Sequence, residues 1–401
     1  MRLRVRAMAH GGEGIADAPD GRVVFVRGGV PGDVVDATLA KVKKRWARAD
    51  AVEVREPSPD RVEPTCPAAA AGAGCCDYSH IRPDAQVGFK RDILLGQLGA
   101  LSAHSGVLAG FDFDHLEVAQ LDPPTGWRTR VRLGIDSRGR AGMRRARSAD
   151  VVANSVCTQP VPRLLDGIVG EDARAFAPGA ELVVARDANG QRHVVQTHAA
   201  QRGRRVEAVE RVLEGDGKVV ERVRGFDFVF PPTAFWQAHV RAPEAYSDTI
   251  ADWGRREYAT PVGWDLYGGV GAFVPAISDA LGGGTVESVD YSDAAAAREQ
   301  QVTDAFNVRI YHGDVASTVS QLPKPGLVVL DPPRAGAGQD VVDAIADAAP
   351  QRVIHVGCDP ATFARDLAGF GNRGYAVTRL KLIDAFPNTH HFEVIAALER
   401  A

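Results

Sequence analysis

Apolar and polar positions alternate through GRVVFVRGGVPGDVVDATLAKV, Gly21 to Val42, and the alternation is broken by Gly-Gly and Pro-Gly pairs. Short period-two runs between such turns predict a small β-barrel. WRTRVRLGI, Trp127 to Ile135, alternates in the same way and predicts a strand with one arginine-lined face. ARDANGQRHVVQ places Asn189-Gly190 between two strand-like runs and predicts a hairpin. FKRDILLGQLGAL, Phe89 to Leu101, has the spacing of an amphipathic helix. Beyond residue 260 the pattern changes. VGWDLYGGVGAFVPAISDAL, Val262 to Leu281, passes from a short apolar run through small residues into a helical pattern, and the later apolar runs GTVESVDYS, YHGDV and LVVLDPP each meet an acidic residue where the strand should close. Strands alternating with helices predict an α/β domain. Proline-rich EPSPDRVEPTCP and the later VFPPTAF divide the chain into 1–57, 58–229 and 230–401.

A chain of 401 residues that is 45% apolar can bury two or three separate cores. MRLRVRAMAHGGEG lacks the apolar centre of a signal peptide, and no run is long enough to span a membrane, so a cytoplasmic protein is expected. Five cysteines in this length fit a reducing compartment and no disulfide scaffold. A monomer is the default expectation. The net charge of -4 argues against a protein that binds polyanions over its whole surface, so any such contact must be local. Met1 to Arg55 holds 11 Lys plus Arg against 7 Asp plus Glu, and KVKKRWAR groups five cations around Trp46. Cations interleaved with an aromatic ring suit phosphate contact with base stacking, although such a run is commonly a solvated face. Arg128 to Arg147 contains eight arginines and one acid, Asp136, and offers a second such surface.

Candidate chemistry gathers in the last third. Cys358 has Gly357 before it and Asp359-Pro360 after it, where an extended run must stop, a position that presents a side chain to a cleft. It reads as a nucleophile or as a small buried hydrophobe. Gly268, Gly269 and Gly271 allow a ligand close to the backbone. Asp290 closes the next strand, where sheets of this kind place a carboxylate that accepts ribose hydroxyls, and it reads equally as a helix cap. Asp314 and Asp331 follow further strands, and carboxylates at successive strand ends point to one cleft.

DLYGGVG, DPPRAG, GCDPATFARDL and DAFPNTHHFEVIAAL, in that order, resemble the S-adenosylmethionine-dependent RNA uracil-5-methyltransferases of the branch carrying an N-terminal TRAM domain. The resemblance covers nearly the whole chain. It implies a Rossmann-like class I methyltransferase domain, an OB-like TRAM barrel that binds RNA, and a mixed α+β central domain whose helix at about 84–102 packs on the catalytic domain. It implies methyl transfer from S-adenosylmethionine to carbon 5 of a uridine, in ribosomal RNA sooner than transfer RNA. By resemblance Cys358 adds to carbon 6 and Glu393 removes the carbon 5 proton. Gln237, Tyr267, Gly269, Gly271, Asp290, Asp314 and Asp331 match the cofactor positions, with Asp331 between cofactor and base. Phe235 and Trp236 match an apolar wall near the flipped base, and Arg334 a residue that contacts RNA or braces its loop. Arg365 and Asp366 read equally well as a helix-surface pair. The chain departs from the family at Ala272, at Gly268 and in GCDP, where Asp359 replaces the usual asparagine.

Many relatives carry a four-iron, four-sulfur cluster on Cys, a gap, Cys-Gly-Gly-Cys and a distant Cys. Cys66, Cys76 and Cys157 fit the first, third and fourth positions, whereas the second falls on Ala73 and Cys75 replaces a glycine. Four thiols are available for a cluster, and reduced structural thiols are the other reading. Beside the RNA uridine methyltransferase stand two further readings: an RNA-binding protein with a silent catalytic domain, and a methyltransferase acting on another base such as cytosine.

Overall fold

The computed structural model describes residues 1–202, 205–292 and 301–400. Five strands, β1 (Arg2–Met8), β2 (Gly14–Asp17), β3 (Val23–Arg27), β4 (Val34–Val42) and β5 (Trp46–Glu56), close into a barrel in the order β1-β2-β3-β5-β4. Alternate side chains turn inward, and Leu3, Ala16, Val24, Val26, Val35, Ala37, Ala47 and Ala49 fill the core. This is the barrel that the alternation at Gly21 to Val42 predicts.

The chain then enters a loop holding Cys66, Cys75 and Cys76, and the helix Pro83–Ser105. Strand β6 (Glu117–Gln120) follows, and then β7 (Arg130–Ile135), β8 (Ala141–Arg144), β9 (Val151–Val152), β10 (Glu181–Arg186), β11 (Arg192–Arg202) and β12 (Arg205–Glu214). The last six form an antiparallel sheet in the order β12-β11-β10-β7-β8-β9. Its β10–β11 hairpin turns through Asn189-Gly190, with Gly190 at a φ of 80°.

Strands β13 (Val219–Val223) and β14 (Phe226–Phe230) form a separate hairpin. The large sheet of the last third is built from β15 (Val262–Leu266), β16 (Thr285–Asp290), β17 (Val308–His312), β18 (Leu327–Leu330), β19 (Arg352–Gly357), β20 (Tyr375–Asp384) and β21 (Glu393–Arg400). Its order is β17-β16-β15-β18-β19-β21-β20-β6. The first five strands are parallel, and β21 runs antiparallel to its neighbours. Leu327, Val328, Val329 and Leu330 are all fully buried because the sheet is covered on both sides, so the strand reads as a continuous apolar run. Val328 and Leu330 turn toward the helices Pro83–Ser105, Gln339–Ala348 and Pro360–Asn372; Leu327 and Val329 turn toward the helices Ala242–Gly254 and Val274–Ala280 and the β13–β14 hairpin.

Three segments N-terminal to the last domain therefore pack with this sheet. β6 extends its edge beside β20, and Phe228 and Phe230 of the hairpin stand in the same apolar core as Tyr246 and Ile250. The long helix Pro83–Ser105 lays Ile93, Leu94 and Leu98 against Phe363, Leu367 and Phe370. Lys90 lies on that packed face and is fully buried, with Nζ donating to Asp384 Oδ1 at 2.6 Å and to the Phe386 carbonyl at 3.2 Å. Among the described residues no helix is long and apolar enough to cross a membrane.

Candidate active site and the cysteine site

Parallel strands put all their C-terminal ends on one edge of a sheet, and the turns leaving them meet there. Tyr267 to Gly271 leave β15, Asp290 ends β16, Asp314 follows β17, Asp331 follows β18 and Cys358 follows β19. Glu393 reaches the same edge from the other direction because β21 is antiparallel and begins there. The register that pairs Gly357 with Val394 places Cys358 across from Glu393. Two residues 35 positions apart in sequence are thus neighbours on adjacent strands.

Their surroundings are apolar and acidic. Burial first, then the Glu393 and Asp331 carboxyls, against the opposing Arg334 guanidinium, together push the Cys358 thiol up to about 12. Burial also holds the Glu393 carboxyl well above the usual carboxylate range, with Asp331 adding to the effect and Arg334 opposing it. Glu393 Oε2 is buried without a hydrogen-bond partner in the described structure. Asp331 is raised to about 7 by burial and by Asp265, and Asp265 to about 7 by burial and by Asp290, with Ser288 Oγ–H donating to it at 2.8 Å and pulling the other way. Gln237 Nε2 donates to Asp331 Oδ2 at 3.5 Å, which joins the segment after β14 to this row.

The turn after β15 is shaped for a close approach. Tyr267, Gly269 and Gly271 all adopt positive φ, 62°, 55° and 81°. A non-glycine residue there is strained, and such strain gathers at functional sites. The Gly269 amide donates to Asp290 Oδ2 at 3.0 Å, and Ser292 N donates to Asp290 Oδ1 at 2.6 Å. Asp290 therefore braces the glycine turn as well as the start of the next segment, which continues outside the described residues. Among the described residues no atom lies within 4 Å of where a Gly269 Cβ would stand, so that backbone face is open to a ligand, whereas a Cβ on Gly268 would meet Asp265 Oδ2 at 2.3 Å and Ser288 Oγ at 2.5 Å. This open turn, with a carboxylate behind it and Gln237 beside Asp331, fits the cofactor that the sequence resemblance implies. Asp314 is exposed and caps the short helix Val315–Thr318 through Ser317 N at 3.1 Å.

The loop Asp331 to Gly338 is held from beneath. Asp366 is 2% exposed, a buried brace that accepts from Arg365 Nη2 at 3.1 Å, so the pair forms with only its arginine at the surface. Asp366 also accepts from Ala337 N at 2.7 Å and lies 3.3 Å from His355 Nε2, and these contacts outweigh burial and hold its carboxyl below the usual range. Arg365 donates to the Ala335 carbonyl at 2.7 Å. Asp359 caps the helix Pro360–Asn372 through Ala361 N and Thr362 N, both at 3.0 Å, and His10 Nε2 of the barrel reaches its other oxygen at 2.9 Å. The aspartate that departs from the family pattern thus ties the barrel to the residue next to Cys358. His390, three residues before Glu393, pairs through Nδ1 with Asp77, the neighbour of Cys76. A cavity of about 740 Å³ opens at this junction, lined among others by Gly12, Arg27, Arg61, Arg145, Arg147 and His390.

Several residues meet a different fate from the one the sequence suggests. Trp236 is buried against Phe228 and Phe230, with ring centroids 5.7 and 5.4 Å apart, so it belongs to the core, while Phe235 is 74% exposed. The arginine-lined face is largely consumed by carboxylates: Arg130 pairs with Glu221, Arg132 and Arg144 with Glu181, Arg140 with Asp136 and Arg147 with Glu13. Tyr246, which no motif marks, is fully buried within electrostatic reach of Glu393, Asp331 and Cys358, and its hydroxyl has no partner among the described residues. Asp265 carries a visible signal, a lone acid inside an apolar strand. Lys41 and Arg48 lie 5.8 and 5.6 Å from the Trp46 ring centroid on the barrel, near the exposed Lys43, Lys44 and Arg45.

The other four cysteines converge elsewhere. Cys66, Cys75, Cys76 and Cys157 bring their sulfurs within 4.8 Å of one another at the base of the central sheet, with Cys75 partly exposed and the others buried. Ala73, the family's second ligand position, is a buried core residue.

The profile of the tRNA (Uracil-5-)-methyltransferase family matches residues 321–401, and that of the TRAM domain matches residues 1–52. An uncharacterised RNA methyltransferase of Corynebacterium glutamicum is 49% identical over 99% of this chain and 96% of its own length. Another from Streptomyces avermitilis is 35% identical over 100% and 98%. The solved structure of Pyrococcus abyssi tRNA (uracil-54, C5)-methyltransferase in complex with S-adenosyl-L-homocysteine has the same fold, with a TM-score of 0.72 over 99% of each chain at 20% identity. The chain belongs to the S-adenosylmethionine-dependent RNA uracil-5-methyltransferase family, in its TRAM-bearing form.

Proposed function

We propose that this protein methylates carbon 5 of a uridine in structured RNA, with 23S ribosomal RNA as the substrate, through a covalent adduct on Cys358. Bound S-adenosylmethionine supplies an electrophilic methyl group on a sulfonium. Uracil carbon 5 is too poor a nucleophile to take it unaided. Cys358 gives its thiol proton to solvent, its sulfur forms a bond to carbon 6, and the electrons of the 5,6 double bond move toward carbon 5 and oxygen 4 as an enolate. Carbon 5 then bonds the methyl group as the methyl–sulfur bond breaks. Glu393 takes the carbon 5 proton, the electrons re-form the 5,6 double bond, and Cys358 leaves as thiolate.

The single observation that carries this reading is the cross-strand placement of Cys358 and Glu393, with Glu393 Oε2 unpartnered at the closed end of the acidic row. A thiol pushed up to about 12 is a dormant nucleophile in the free enzyme, and a base whose carboxyl is held well above its ordinary range is poised to accept a proton. Asp290, Tyr267, Gly269 and Gly271 hold the cofactor, with Gln237 and Asp331 at its reactive end and Asp314 toward its base. The target uridine must leave its helix to reach this edge. Phe235 offers an exposed ring for stacking, and the cations around Trp46 with Arg27 and Arg145 at the junction cavity give RNA a path from barrel to thiol.

The test is transfer of labelled methyl from S-adenosylmethionine to unmodified RNA, with ribosomal and transfer fractions kept apart and digested to nucleosides. Label in 5-methyluridine of the ribosomal fraction, absent with Cys358→Ala, is expected. Label confined to the transfer fraction would move the substrate to tRNA and keep the chemistry. Label in another base, or none with RNA and cofactor both bound, would overturn it.

A further inference from the structure

The four clustered cysteines have a size as well as a number. Cys66 and Cys75 sulfurs are 3.9 Å apart, those of Cys76 and Cys157 are 3.5 Å apart, and no two of the four exceed 4.8 Å. In a four-iron, four-sulfur cube each thiolate binds a different corner iron, so the cysteine sulfurs stand about 6 Å or more apart around the inorganic core. Around a single zinc ion, with tetrahedral geometry and bonds of about 2.3 Å, they stand about 3.8 Å apart. The observed set has the second dimension and no room for the first. Its chain pattern agrees: with Ala73 at the expected ligand position and Cys75 moved beside Cys76, two donors come from neighbouring residues whose Cα atoms are about 3.8 Å apart, a short chelate suited to one ion.

We propose that Cys66, Cys75, Cys76 and Cys157 bind one tetrahedral zinc ion as a closed structural site, in place of the iron–sulfur cluster of related enzymes.

Four thiolates around a divalent cation carry net negative charge, and the structure supplies a partner for it. The buried Arg128 guanidinium lies within electrostatic reach of Cys157, Cys76 and Cys75 and is held by Gln159 Oε1 at 2.8 Å. Gln159 in turn donates from Nε2 to the Cys75 carbonyl at 2.6 Å and from its amide to Cys157 Sγ at 3.5 Å. An amide donor and a cation near the sulfurs are what a thiolate–metal site needs outside its ligands. Neutral thiols would leave that guanidinium without their opposing charge. The ion would also fix the catalytic edge, since Asp77 follows the ligand Cys76 and accepts from His390 N at 3.1 Å, three residues before Glu393.

The full chain, purified anaerobically from cells supplied with both iron and zinc, is assayed for metals and acid-labile sulfide. About one zinc per chain without sulfide is expected, and cobalt exchanged into the site should show the intense d–d bands of tetrahedral tetrathiolate coordination. Iron with sulfide, one iron without sulfide, or a folded chain without metal would each overturn the assignment. Cys75→Ser should release its metal to a chromophoric chelator about tenfold or more faster than wild type. Release at the wild-type rate would remove Cys75 from the ligand set, and with it the four-thiolate site.

Discussion

The five cysteines fall into two environments that make opposite use of one side chain. Cys358 stands alone at a strand end, faced by the Glu393 and Asp331 carboxyls, and burial with those charges keeps its proton on. The other four stand together, with the Arg128 guanidinium within electrostatic reach and the Gln159 amide donating to Cys157 Sγ. A thiol surrounded by acids is a nucleophile held in reserve; thiols grouped around a cation are ligands. The difference lies in the neighbours, and those neighbours come from distant parts of the chain.

The comparison breaks first under substitution. Cys358→Ala should lower methyl transfer by at least about 10³-fold because the covalent step is lost, while the metal content of the other site stays unchanged. Transfer assays paired with metal analysis check both halves, and loss of metal in this variant would show that the two regions are not independent. Glu393→Gln should cost about 10²- to 10⁴-fold in turnover and accumulate methylated RNA joined to protein, visible on a denaturing gel. The same change should raise the melting temperature near neutral pH. The folded-state pKa of Glu393 lies above its unfolded value, so wild type loses stability as pH rises past the ordinary carboxyl range, and a neutral amide does not. The gain should shrink as pH falls to about 4 and below, where the unfolded carboxyl itself becomes protonated.

Thiol alkylation followed peptide by peptide sharpens the contrast further. Cys358 should react slowly at neutral pH, with a rate still climbing well above the ordinary thiol pKa of about 8.5. Its curve should move to lower pH in Glu393→Gln, since removing a negative neighbour favours the thiolate. The four grouped cysteines should resist alkylation until a chelator removes their ion. The smallest effect belongs to the barrel: Lys43, Lys44 and Arg45 replaced by alanine should weaken RNA binding and lower its salt slope by about 2 to 3, with the rate at saturating RNA unchanged.

The architecture was legible where one face or both faces of an element are covered in a regular way. LVVLDPP announces a strand buried on both sides followed by an acid, and GRVVFVRGG announces a barrel strand turned half inward. The catalytic edge was legible as a list of strand-end residues, while the meeting of Cys358 with Glu393 needed the antiparallel register of β21, which no spacing encodes. Long-range pairing hid the rest. The arginines between 128 and 147 look like a free basic face because Glu13 and Glu221, which neutralise two of them, lie about a hundred residues away on either side. Trp236 looks like a pocket wall because its stacking partners sit on a separate hairpin. The contact of His10 with Asp359 spans 349 residues and joins two domains, and β6 is four residues long with no pattern of its own.

The most direct test of the central claim is adduct capture on RNA carrying 5-fluorouridine at the target position, incubated with enzyme and S-adenosylmethionine. Fluorine at carbon 5 leaves no proton for Glu393 to remove, so a denaturation-resistant complex of one protein with one RNA should accumulate, with the RNA fragment on the Cys358 peptide after digestion. A wild-type enzyme that methylates natural RNA yet forms no such complex, or forms it on any other residue, would contradict the account.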